Sequence, residues 1–175
     1  MYFRKEITEK DKPVVPFIYK GYRLYPIRKE DLKKYMEFSF KLENNLIRSN
    51  TVEADYKPLL DYYTEKYEGQ HNKAFFVFKD NEIVGELFVT DLRPGGRVCI
   101  TSLQLLREHR GKGIGKGLMT LVEVLAKQAK CSLIELYVER HNGEVLDFYR
   151  KLGFAVRHQH EDGWSMVKDL LCVSR

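Results

Sequence analysis

Between residues 97 and 139 the apolar residues change their period twice, and that double switch limits the fold more than any other feature. "RVCITSLQLL" (97–106) and "SLIELYVE" (132–139) are short β-branched, apolar runs of the kind that form strands. Between them Ile114, Leu118, Leu121, Val122, Leu125 and Ala129 share one face of a 3.6-residue period that runs to about Lys130. A strand, a helix and a second strand over this length satisfy the requirement for a parallel crossover. The chain therefore needs a sheet with at least one parallel pair.

The flanking pattern supplies the other strands. "YRLYPIR" (22–28) reads as a strand ending near Pro26. After Asp31, a helical pattern runs through Leu32, Tyr35, Met36, Ser39, Leu42 and Leu46. A polar loop follows, and Pro58 opens a short aromatic helix with Leu59, Leu60, Tyr63 and Tyr67. Runs at 73–80, 82–92 and 97–106, punctuated by Asp80-Asn81 and Pro94-Gly95-Gly96, predict an antiparallel meander. "GEVLDFYRKL" (143–152) predicts a helix stopped by Gly153, and the last runs form a hairpin across Glu161-Asp162-Gly163. The order β-α-α-β-β-β-α-β-α-β-β describes one α/β domain over 22–175, led by a Pro-containing arm over 1–21.

Composition removes several function classes. No apolar run approaches the roughly 18 residues of a membrane span, and the charged start has no signal-peptide core, which predicts a cytoplasmic protein. Cys99, Cys131 and Cys172 are far apart and lack metal spacing, so they read as reduced thiols. The net charge of +5 is spread among acidic residues, which admits a polyanionic ligand without calling for nucleic acid. His158 and His160 have the spacing of a metal pair but no evident third ligand, and read as solvated.

The crossover helix is entered through "REHRGKGIGKGL" (107–118). A P-loop ending at Gly115-Lys116 would need glycine at Arg110 and a hydroxyl at Gly117. A dinucleotide fingerprint starting at Gly111 or Gly113 would need glycine at Lys116 or Leu118. Both fail, yet the shared physics remains. Glycines let the backbone turn tightly and aim several N–H groups into one concavity, and the helix start adds unsatisfied amides. A diphosphate suits that concavity, with Arg107, Arg110, Lys112 and Lys116 nearby. A glycine-rich helix start with solvated lysines is the bland alternative.

Arg110-Gly111-Lys112-Gly113-Ile114-Gly115 resembles the R-x-x-G-x-G coenzyme A loop of the GNAT superfamily of N-acetyltransferases. A second match lies in "LYVERHNGEVLDFYRKLGF" (136–154), which is similar to that superfamily's closing strand, asparagine, tyrosine-bearing helix and Gly-Phe. The element order agrees from about residue 20 to 171. The resemblance implies a mixed, mostly antiparallel twisted sheet with helices on both faces. It also implies acetyl transfer from acetyl-CoA to an amine by direct attack. Arg107 and Val145 stand where many members have proline and alanine, and "ITSLQL" lacks the glutamate that serves some relatives as base.

Roles follow from the resemblance residue by residue. The amides from Arg110 through Gly111, Lys112, Gly113, Ile114, Gly115 and Lys116 take the pyrophosphate, and the backbone of Leu103, Gln104 and Leu105 takes the pantetheine arm. A backbone N–H near Leu105 polarises the thioester carbonyl. Asn142 contacts the cofactor arm or caps its helix, and Tyr149 donates to the leaving thiolate or simply packs in the core. Glu86, amid the apolar run 82–92, is the best carboxylate to deprotonate the amine, unless it faces solvent. Ser102 or Thr101 positioning a water, Glu139 and His141 are alternatives. Without a strand glutamate the chain also reads as a non-catalytic acyl-CoA sensor. No nucleic acid or membrane partner is expected, a homodimer is allowed, and the acceptor amine is not legible.

Overall fold

The computed structural model describes residues 18–27, 31 and 71–171. The two helices expected between residues 32 and 67, most of the N-terminal arm and Cys172 lie outside the described residues. The described strands are β1 (Ile18–Tyr19), β2 (Tyr22–Pro26), β3 (Lys73–Lys79), β4 (Glu82–Thr90), β5 (Arg97–Leu105), β6 (Leu133–Glu139), β7 (Ala155–Gln159) and β8 (Gly163–Asp169). Helix α1 spans Ile114–Gln128 and α2 spans Leu146–Lys151, with 3₁₀ turns at Arg107–His109 and Arg140–Val145. The hydrogen-bonded strand order is β1-β2-β3-β4-β5-β6-β8-β7.

The chain divides into two compact units, and it passes between them after Phe88, Thr101 and Gly117. The first unit holds β1 to β3, most of β4, the end of β5 and the glycine loop. Strand β4 is buried along nearly its whole length and β2 and β3 along most of theirs, with Tyr22, Leu24, Phe76, Phe78, Ile83 and Leu87 among the buried residues. Tyr25 and Phe76 both meet Phe78 edge-on, at 5.0 and 6.2 Å between ring centres. The hairpin β3–β4 turns on Asp80 and Asn81, at φ 50° and 67°. Two successive left-handed residues match the twist of the strands they join, and aspartate and asparagine tolerate that conformation best after glycine. Lys20 and Gly21 (φ 50° and 79°) make the same kind of turn between β1 and β2. Strand β1, only two residues long, has no periodic signature and falls within the segment read from sequence as the arm.

In the second unit β5 and β6 are parallel, in register from Arg97↔Leu133 to Ile100↔Leu136. This is the crossover expected from the double period switch. Strand β8 runs antiparallel to β6 from Leu133↔Asp169 to Glu139↔Gly163, and β7 completes the hairpin with its whole length exposed. Ile134, Leu136, Val138 and Met166 form the buried rows of this part of the sheet. On α1 the residues Ile114, Leu118, Met119, Leu121, Val122 and Ala126 are buried. Each such aliphatic side chain contributes on the order of 1.5–3 kcal/mol. The stripe differs slightly from the expected one: Leu125 and Ala129 are half-buried, while Met119 and Ala126 turn inward.

The expected helix at 143–152 is shorter than predicted. Residues Arg140–Val145 form a 3₁₀ turn, and Asn142 within it has φ −102° and ψ 22°, outside helical values. Asn142 is therefore not the N-cap; the residue before α2 is Val145, which has no capping side chain. The C-terminal stop is as expected. Gly153 has φ 88°, and the amides of Gly153 and Phe154 return to the carbonyls of Arg150 and Tyr149. Cys99 is half-buried and Cys131 buried, both as free thiols.

Candidate active site

The glycine loop departs from the end of β5 through the Arg107–His109 turn. Gly111 and Gly113 are left-handed, at φ 70° and 81°, a conformation that side-chain-bearing residues adopt only under strain. The first amide bond of α1 joins Gly117 N–H to Gly113 O at 3.2 Å, so the N–H groups of Ile114, Gly115 and Lys116 precede the helical ladder. These donors, with the positive end of a 15-residue helix dipole, are what the sequence led us to expect for an anion. A Cβ on Gly111 would meet nothing within 4 Å, which leaves that side of the bend open.

Sequence reasoning missed what fastens this loop. Lys20 Nζ donates to the Lys112 carbonyl at 3.0 Å, and its ammonium also lies over the Tyr19 ring. The Tyr19 ring fills the space where Gly117 has no side chain; a Cβ there would sit 3.1 Å from it. Tyr22 Oη pairs with His109 Nδ1 at 2.9 Å, and burial, helped by Lys112 and Lys79, holds this imidazole below its ordinary pKa. The signal lay in Tyr19, Lys20 and Tyr22, which no local motif connects to a loop ninety-two residues away.

On β4 and β5 the structure settles where Glu86 points. It is fully buried, not on a solvated face, and Ser102 Oγ donates to its Oε1 in a very short hydrogen bond. Gln104 Nε2 lies 3.4 Å from the same Ser102 oxygen. Glu86, Ser102 and Gln104 thus form one polar chain in the first unit. The strands approach unusually closely here: a Cβ on Gly85 would lie 2.5 Å from the Gln104 carbonyl oxygen and 2.6 Å from Leu105 Cδ2. Leu106 N–H donates to Val84 O at 2.8 Å, so by alternation the Gln104 peptide groups also face β4. Those of Leu103 and Leu105 face away from it. Arg110 Nε donates to Leu105 O at 2.8 Å, tying the start of the loop to the strand end. The parallel register with β6 ends at Ile100↔Leu136, although β5 continues to Leu105.

The second unit carries the remaining sequence candidates. Tyr149 on α2 is half-buried, with its ring edge-on to Phe148 and Phe154 at 5.0 and 5.8 Å. Burial pushes its phenol up to about 12. Asn142 is half-buried in the 3₁₀ turn. Glu139 and His141 pair with each other at 3.3 Å near the surface. His160 Nε2 is taken by Ser165 Oγ at 2.8 Å, and among the described residues no three His, Cys, Asp or Glu side chains are placed to hold a metal.

A comparison with known families matches residues 39–154 to the model of the acetyltransferase (GNAT) family. The chain belongs to the GNAT family. Spermidine N(1)-acetyltransferase of Escherichia coli K12 is 27% identical over 143 residues, covering 77% of this chain and 73% of its own. Among solved structures, the PaiA N-acetyltransferase of Thermoplasma acidophilum in complex with coenzyme A aligns with TM-score 0.66 and 21% identity, over 85% of this chain and 98% of its own. The dodecameric spermidine N-acetyltransferase of Vibrio cholerae aligns with TM-score 0.64 and 14% identity, over 86% and 95%. The GNAT assignment makes this chain an acetyl-CoA-dependent N-acetyltransferase. Its mixed, mostly antiparallel sheet is the GNAT fold. The left-handed glycines, the open side of the bend and the N-terminus of the helix suit the diphosphate of the acyl donor. Among the described residues no helix is long and apolar enough to cross a membrane.

Proposed function

We propose that this enzyme acetylates a primary amine, on a small molecule or a protein, by direct attack, with Glu86 acting as general base through Ser102. One observation carries this reading: a fully buried carboxylate receives the proton of a serine that is itself partly exposed. Glu86 cannot meet a substrate directly without rearrangement, whereas Ser102 can. An alkylammonium near pKa 10 must shed a proton before it can attack. In the proposal Ser102 Oγ accepts that proton as its own passes to Glu86, so the charge ends on no exposed group. The family's missing strand glutamate is thereby replaced from the neighbouring strand.

Acetyl-CoA supplies the activated acetyl group and a thiolate leaving group. The protein's part is to hold and polarise. Backbone N–H groups from Arg110 to Lys116 take the diphosphate, and the outward peptide groups of Leu103 and the Leu105 N–H take the pantetheine amides. We assign the Leu105 N–H to the thioester oxygen as well, in the manner of a one-donor oxyanion hole. Its carbonyl is already occupied by Arg110. Asn142 is assigned to the cofactor arm and Tyr149 to the leaving sulfur. With its phenol near 12, Tyr149 stays protonated throughout the working range. Full transfer to a thiolate of conjugate pKa about 8.5 would be uphill by roughly 5 kcal/mol, so Tyr149 stabilises the sulfur by hydrogen bonding rather than by giving up its proton.

The test is release of CoA from acetyl-CoA across a panel of primary amines that includes spermidine, amino acids and peptides with free N-termini. Amine-dependent release that Glu86→Gln and Ser102→Ala each reduce is the expected result. Undiminished release in both variants would overturn the assignment of the base.

A further inference from the structure

The polar chain on β4 and β5 ends in an atom that its role as a proton path does not explain. Gln104 Oε1 is buried and has no hydrogen-bond partner among the described residues. Buried amide oxygens are nearly always satisfied, so an orphan on the wall of a reaction site points to a missing donor. The hydrogen-bond arithmetic fixes its polarity. Ser102 has one hydroxyl proton, and Glu86 takes it. Ser102 can then only accept from Gln104, which turns Nε2 to the serine, at 3.4 Å, and leaves Oε1 as the buried, unpartnered end of a half-buried side chain. The free end of the chain is then an oxygen that can only accept, and the role of Glu86 as base puts a negative charge behind it.

We propose that Gln104 Oε1 is the specificity contact for the acceptor, receiving an N–H of its alkylammonium or amine group. The inference rests on the acetyl-transfer reading above and deepens it by naming what recognises the acceptor. An ammonium offers three donors, no lone pair and a positive charge, and so matches this end of the chain on every count. A hydroxyl can donate one hydrogen bond but brings no positive charge, and a carboxylate would bring a second negative charge. The amides of the cofactor arm are the competing donors. Main-chain pairing with Leu103 and Leu105 satisfies them without any side chain, while the Ser102 and Gln104 side chains extend from the opposite face to the Leu103 and Leu105 side chains. Glutamine at 104 therefore favours an ammonium over an alcohol through charge, a role of its side chain alone, because its peptide groups are turned to β4 and not to the cofactor arm.

The experiment measures binding to the full chain by titration calorimetry, using 1,4-diaminobutane, spermidine and, as the uncharged control, 1,4-butanediol. CoA is titrated separately, and acetyl transfer is recorded alongside. Gln104→Met keeps the side-chain length and removes the acceptor; Gln104→Glu keeps the acceptor. Gln104→Met is expected to weaken amine binding about tenfold or more, with CoA affinity and the unfolding midpoint unchanged, and Gln104→Glu is expected to restore it. A fall in CoA affinity with amine binding intact would assign the oxygen to the cofactor and overturn the proposal. So would wild-type protein that binds neither amine, or binding that is indifferent to both substitutions. If amine binding responds to Gln104 but no amine is acetylated, the catalytic reading fails and this one stands.

Discussion

Two hydroxyl-to-carboxylate hydrogen bonds, one in each unit, make opposite uses of the same chemistry. In the first unit Ser102 donates to Glu86, which is entirely out of solvent. In the second, Tyr137 donates to Asp162 at 2.5 Å, and both residues are exposed. The Asp162 pair shifts both partners, raising the phenol to about 12 and lowering the carboxyl, mainly through the bond itself. Water competes for every atom of that pair, so its loss is readily compensated. Nothing compensates for Ser102 beside Glu86, because a buried carboxylate that loses a donor keeps its desolvation cost. Burial, rather than residue type, separates a working pair from a surface one.

That contrast sets the order of expected effects. Glu86→Gln should lower amine acetylation by about 10²–10⁴-fold, the range of a lost general base. CoA affinity should be retained; a fully active Glu86→Gln enzyme would break the comparison at its strong end. Gly113→Asp should weaken CoA binding on the order of 100-fold, since it adds a carboxylate at a left-handed position where even the new Cβ would lie 3.2 Å from Lys20 Nζ. Calorimetric titration with CoA reads this directly.

Gly85→Ala should cost about 1–3 kcal/mol in chemical denaturation, because its Cβ would force β5 away from β4 at Gln104. Tyr149→Phe should reduce turnover about tenfold without changing CoA affinity. The same substitution has a pH signature. The folded phenol titrates near 12 against an ordinary 10, so the wild type keeps this contribution below pH 10 and loses it as pH rises towards 12. The phenylalanine variant should lack that alkaline fall when unfolding is followed from pH 9 to 12. Tyr137→Phe, at the weak end, should leave both activity and the unfolding midpoint unchanged, and a large effect there would show that the exposed pair is more than a surface contact.

Much of the frame was legible because it is written in local patterns. The period switch gave the parallel β5–β6 pair, the Asp80-Asn81 dipeptide gave a hairpin, and the spacing of Gly111 and Gly113 gave the loop. What sequence could not convey was proximity across the chain. Glu86 stood between two readings, solvent-facing or buried, since period alone cannot name the face of a strand whose neighbours are apolar on both sides. Sequence offers Ser102 and Glu86 as alternatives, and the fold makes them partners. Asn142 was misjudged as a cap for a different reason: residue type suggested it, but a 3₁₀ turn delays α2 by several residues. Strand β1 was missed because two residues carry no period at all.

The Lys20–Lys112 bond and the packing of Tyr19 beneath Gly117 have a consequence for how the enzyme matures. A nascent chain that has emerged only through the β1–β2 hairpin holds one half of a clasp whose other half has yet to be synthesised. The anion cradle can therefore take its final shape only after most of the chain has been synthesised and the two ends of this long loop have met. Fusions or truncations that disturb residues 18–22 should then yield protein that folds yet grips its acyl donor poorly.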